Sequence, residues 1–417
     1  MLKRTALLYR DSFSGLPLEI WWLSLVMLIN RAGALVLPFL TVYLTEQLGF
    51  SLSKTGLIMS FYGLGSICGA YMGGKLTDRF GPFNVQFTSL FLSGLMFLVL
   101  MQLDTVQEFC VGIFFTSMIM DAFRPANMAA IGFYAPPELH TRAVALNRFA
   151  INLGFAMGPA MGGVLAGALG FGALFIFNAG AYVLAALVFR LTLRPPDRGA
   201  IPKDADGAPI AASTSPWQDY TFIKFVLCHF LGIFAFMQLF STLPVYLKST
   251  LGWGEDMIGY LIGLNGLLIV VIEMPMIFRL EKHPSKVWLA AIGAGFIFLG
   301  FLLLGLFSGL AFAAWVFMIL ITIGEMINFP FGNSYALSRT TPQNRGRFMG
   351  VYSLAFSVSM VLGPNFGMFV AEHGGFSLLW LIMAGMALGG MLGLLSLHRA
   401  DQHKRDAQAE KEPELQR

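Results

Sequence analysis

Long apolar runs separated by short polar segments repeat along the chain. Six fall at roughly 18–44, 54–73, 85–103, 107–134, 142–169 and 171–193. Six more fall at roughly 220–247, 256–278, 286–307, 310–336, 347–371 and 375–397. Each is long enough to cross ~30 Å of hydrocarbon as an α-helix rising about 1.5 Å per residue. None shows the apolar/polar alternation that a membrane β-barrel needs. The pattern predicts an all-α integral membrane protein with twelve transmembrane helices. The predicted division is a six-helix bundle over 1–193, a polar linker over 194–219 and a second bundle over 220–397. The charged stretch 398–417 reads as a disordered tail.

Placement of the basic residues orients the spans. If both termini and the 194–219 linker face one side, the loops of the opposite side hold only Lys54 and Lys248 of the 27 Lys and Arg. Arg31, Arg124, Arg148 and Lys224 lie within spans, and the rest gather on the side of the termini. Such a bias predicts cytoplasmic termini in a cell inner membrane. Composition agrees: 56% of residues are hydrophobic and 12% charged, against about 25% charged in soluble domains. The net charge of +4 is small and suggests no nucleic-acid partner. Cys68, Cys110 and Cys228 lie in apolar runs without metal-ligand spacing.

The two halves repeat. The interval from Pro125 to Pro330 equals that from Pro159 to Pro364. Leu37-Pro38 leading to Leu48-Gly49-Phe50 is matched by Leu243-Pro244 leading to Leu251-Gly252-Trp253. Two related six-helix halves joined by a polar linker suit a transporter with its site near the membrane midplane.

The run Gly73-Gly74-Lys75-Leu76-Thr77-Asp78-Arg79-Phe80-Gly81 resembles the loop-2/3 signature of the major facilitator superfamily. That resemblance implies two pseudo-symmetric bundles and alternating access. It also implies a gating role for Gly74, Asp78, Arg79 and Gly81, with Asp78 set at the positive N-terminus of the eleventh helix. The chain departs from the signature at Pro82-Phe83-Asn84, where basic residues are usual. Gly154, Gly158, Pro159, Gly162 and Gly163 resemble the fifth-helix signature of proton-driven antiporters, a second gating set. Their physical content is close helix contact and a bend, so plain small-residue packing is the competing reading. Residues 322–367 resemble the drug:proton antiporter branch, including MdtH-like multidrug exporters.

Charges inside spans carry the candidate chemistry. Each is unfavourable by roughly 2.5–3.5 kcal/mol unless paired or turned toward water. Glu325, Asp121 and Glu273 are the candidate proton carriers, in that order. Desolvation disfavours a charged carboxyl and so lets it load a proton. Asp121 and Arg124 share a helix face and can equally form a structural pair. Arg31, Asn30, Arg124, Arg148, Asn152, Gln238 and His229 are candidate substrate contacts. His229 has the competing reading of a buried, hydrogen-bonded side chain.

No phosphate-binding loop, dinucleotide fingerprint or catalytic triad pattern is present. The expectation is a monomeric secondary transporter, not an enzyme, without cofactor or metal. Its partners would be protons, a small-molecule substrate and the lipid bilayer, and its action proton-coupled export. Two alternatives stay open. Asn30-Arg31 through Leu48-Gly49 is also similar to proton-coupled peptide importers, although their Glu-x-x-Glu-Arg is here Met27, Asn30 and Arg31. A lipid flippase is the other. The topology gives a direct test: tags at either terminus or in the linker should be reached only from the cytoplasm, and Gln47→Cys only from outside. Labelling of the linker from outside would overturn the twelve-span arrangement.

Overall fold

The computed structural model describes residues 10–195 and 215–415. Lys3, Arg4 and most of the predicted linker lie outside the described residues. From Leu18 onward, twelve α-helices run in order among the described residues. These are α1 (Leu18–Ala32), α2 (Val36–Val42), α3 (Leu52–Phe80), α4 (Pro82–Leu100), α5 (Val106–Tyr134) and α6 (His140–Leu169). They continue as α7 (Phe171–Thr192), α8 (Tyr220–Ser249), α9 (Glu255–Leu280), α10 (Lys286–Leu306), α11 (Ala311–Ser338) and α12 (Arg345–Leu415).

The helices do not map one to one onto spans. α1, α2 and a π-helical turn, Tyr43–Gln47, make one apolar stretch, Leu18–Gln47. α12 supplies two, because Gly375 interrupts it at φ 78° and ψ 165°, a left-handed conformation that a side chain would strain. α12 also continues to Leu415, which corrects the expectation of a disordered tail: Ala407 to Glu412 are all strong helix formers.

Local signals explain the helix starts. Ser51 caps α3 by accepting from Lys54 N. Thr105 and Glu108 form a reciprocal capping box at α5. Asp219 and Ser285 cap α8 and α10. Gly81, at φ 89°, turns the chain between α3 and Pro82, the first residue of α4. Pro125 and Pro330, at matching places in the repeat, both lie inside long helices, where each removes a backbone donor.

The chain divides into two compact units. The first comprises Met1–Pro216, Gly266–Phe278 and Ala336–Val361; the second comprises Trp217–Asn265, Arg279–Tyr335 and Leu362–Arg417. In the first unit α3 lies against α5 along Gly65, Gly69 and Gly73, one residue per turn. A Cβ at Gly73 would stand 2.5 Å from the Cα of Ala122. α6 lies against α1 and α2 along Gly154, Gly158 and Gly162 in the same spacing. In lipid, where apolar burial gives little drive, such close backbone approach is what holds helices together. In the second unit α10 and α11 meet at Gly293, Gly300 and Gly324. Its aromatic core centres on Trp380, against Tyr246, Phe301 and Phe376.

Candidate functional site

In the first unit four of the charges within spans form two ion pairs, one within α5 and one between α6 and α9. Asp121 and Arg124 on α5 pair at 2.9 Å. Arg124 also reaches Ser357 on α12 at 3.5 Å, and Ser357 is bonded to Ser66 on α3 at 3.2 Å. Arg148 on α6 donates from Nε to Glu273 on α9 at 3.0 Å. Glu273 has no exposure and Arg148 retains 14%. The structure therefore gives both carboxylates an arginine, the structural-pair reading for Asp121. Tyr352 lies within electrostatic reach of Arg148.

Arg31 stands at the end of α1, in its last turn, where helix carbonyls favour a cation. The helix breaks just beyond it. The amides of Leu35 and Val36, freed by the break, both donate to Asn178 Oδ1 on α7, at 2.9 and 3.1 Å. Irregular backbone at this depth persists only where such partners exist. Arg31 lies over the Phe155 ring of α6 at 5.5 Å. Asn30 is buried close to Tyr182, whose hydroxyl donates to Met120 Sδ at 3.3 Å. The Tyr62 hydroxyl lies within electrostatic reach of Asp121, Arg124 and Arg31. Four helices thus converge on one polar cluster. Asn152 lies on α6 one turn before Phe155, with its Nδ2 buried.

The loop signature meets α12 in this unit. Asp78 accepts from the backbone amides of Gly346 and Arg347 at 2.6 and 3.1 Å, and from Arg347 Nε at 2.7 Å. A Cβ on Gly74 would lie 2.6 Å from the Gly346 carbonyl oxygen, so the two backbones touch there. Asp78 lies beyond the end of its predicted span. Burial pushes its carboxyl above the ordinary range, against the pull of Arg347 and the two amides. Arg79 is exposed beside the Phe80 ring. Among the antiporter-like positions, Gly154 and Gly158 face Arg31 and Ala32, while Gly162 and Gly163 face the Phe39 ring. The side chain of Pro159 lies outside the described residues.

In the second unit Glu325 is 5% exposed on α11. The Asn265 amide of α9 donates to Glu325 Oε2 at 3.1 Å and to Thr322 Oγ1 at 2.9 Å. Gln238 spends its amide within the helix packing, donating to the Gly363 carbonyl at 3.0 Å and accepting from Thr242. His229 is buried between the Phe225 and Phe329 rings. Sequence reasoning missed Asn265, Thr322, Tyr62 and Asn178. Thr322 stands one turn before Glu325, and Asn265 interrupts an apolar run, which were the available signals.

The buried pair gives a stability test. Arg148→Met leaves Glu273 buried without its cation, and breaking such a pair typically costs about 3–5 kcal/mol. The thermal unfolding midpoint of the purified chain should fall accordingly. Combining Arg148→Met with Glu273→Met should restore most of it. Additive losses, with the double variant losing the sum of the two single losses, would show that the pair itself contributes nothing.

The model of the Major Facilitator Superfamily matches residues 21–341 and 327–416. A Na(+), Li(+), K(+)/H(+) antiporter of Planococcus maritimus is 24% identical, covering 89% of this chain and 94% of its own. The multidrug resistance protein MdtG of Proteus mirabilis is 30% identical over 47% of this chain and 50% of its own. Among solved structures, the human organic anion transporter MFSD10 superposes with a TM-score of 0.73 at 17% identity. That match covers 90% of this chain and 98% of the other.

Proposed function

The chain belongs to the major facilitator superfamily and is a multi-pass membrane transporter, and we propose that it drives proton-coupled export of a small molecule by alternating access. The halves 1–193 and 220–397 are the moving bundles, both termini are cytoplasmic, and the membrane is the cell inner membrane. Export is supported by the residues around Gly154 and Gly158 and by relatives described as an antiporter and a multidrug resistance protein.

The observation that carries the coupling is Glu325, a buried carboxyl in the middle of a long apolar helix, hydrogen-bonded to the neutral Asn265 amide. Asp121 and Glu273 are each engaged in an ion pair with an arginine. Glu325 therefore remains the first candidate. In one state it faces water and ionises; in the other it is dry and binds a proton. The contact of Asp78 with Gly346 and Arg347 serves as a latch that closes one side while the other opens.

Glu325→Gln keeps size and hydrogen bonding but cannot titrate. In proteoliposomes it should still exchange substrate, first identified by a thermal-shift screen of metabolites, peptides and drugs. It should lose uphill transport driven by a pH gradient. Full gradient-driven accumulation in this variant would move the assignment to Asp121.

A further inference from the structure

Five charged side chains lie away from the span ends in the first unit: Arg31, Asp121, Arg124, Arg148 and Glu273. Four of them form the two ion pairs already described. Arg31 is the fifth. Among the described residues no carboxylate lies within ion-pair reach of it, and its buried Nε meets no acceptor. The Phe155 ring and the carbonyl end of α1 ease its charge but carry no full negative charge to cancel it. These five side chains thus sum to one positive charge in excess, carried by Arg31, which is half-buried inside a span.

The groups nearby ask for the same partner. Asn152 Nδ2, one turn before Phe155, is buried and meets no acceptor among the described residues. Tyr62 carries its hydroxyl within electrostatic reach of both Arg31 and Arg124. Two guanidinium groups repel a cation at this place, and the one carboxylate beside them, Asp121, is engaged by Arg124. An incoming carboxylate would cancel the excess and accept from the amide and the hydroxyl.

We propose that this site takes an organic monoanion, its anionic group paired with Arg31 and bonded further by Asn152 and Tyr62. This deepens the transporter reading above and rests on it. It assigns the substrate class as small carboxylates or chemically equivalent monoanions, as against lipophilic cations.

The test uses the purified full chain and three probes of one shape, benzoate, benzamide and benzylamine, read by thermal unfolding. Benzoate should raise the wild-type midpoint, and the neutral amide and the amine should not. Arg31→Gln should weaken the benzoate effect about tenfold or more, as loss of a charged hydrogen bond implies. Arg31→Lys should keep part of it. Without ligand, Arg31→Gln should unfold at a higher temperature than the wild type, because the uncancelled charge is gone. Stabilisation by benzylamine in place of benzoate, a full benzoate effect in Arg31→Gln, or no response to any of the three would overturn the proposal. Binding alone is read, so loss of coupling at Glu325 leaves this test unaffected.

Discussion

Charge in a hydrocarbon layer has to meet opposite charge, a dense set of hydrogen bonds, or water. In the first unit that requirement decides which helices touch. Arg148 on α6 reaches Glu273 on α9, and Asp121 binds Arg124 on the same helix while Arg124 reaches Ser357 on α12. The segments Gly266–Phe278 and Ala336–Val361 join this unit through such contacts and through the Asp78 bonds to Gly346 and Arg347. Glycines make the geometry attainable. With any side chain at Gly74 or Gly346 the two backbones would stand apart and the amides of α12 would lie out of Asp78's reach.

The break between α1 and α2 follows from the same constraint. A helix that stops at mid-membrane exposes carbonyls at one end and amides at the other. Arg31 sits with the carbonyls, and Asn178 accepts from the amides of Leu35 and Val36. The break therefore leaves the Arg31 guanidinium over the Phe155 ring and within electrostatic reach of Tyr62, while the freed amides of Leu35 and Val36 have an acceptor. What remains uncancelled is the charge of Arg31, and the proposed substrate class grows from that remainder. In the second unit the comparable feature is a single carboxyl, Glu325, tied to Asn265.

The helical spans were legible in the sequence because lipid permits so few solutions to backbone hydrogen bonding. The Gly74 to Gly81 signature was legible because its residues are close in the chain, although the partner on α12 needed the resemblance. The pairing of Asp121 with Arg124 was legible as one of two readings, from their spacing on one helix face. The pairing of Arg148 with Glu273 was not, because only tertiary packing brings α6 and α9 together. The α1–α2 break was masked by a long, mostly apolar run, in which Asn30-Arg31, Gly33 and Pro38 were the hints. Gln238 and His229 looked like cavity residues, since polarity in an apolar run is visible but its direction is not. One is bonded within the helix packing and the other is stacked among phenylalanines. The helical course of α12 to Leu415 was missed because charge was weighed above helix propensity.

The central claim is that a carboxyl buried on α11 exchanges a proton as part of the transport cycle. Infrared difference spectroscopy of the reconstituted protein across pH reads that event directly, through the carbonyl stretch of a protonated carboxylic acid. The account predicts a carbonyl band whose intensity changes with pH and which Glu325→Gln removes. A titrating band that persists unchanged in Glu325→Gln, or no titrating band in the wild type, would contradict it.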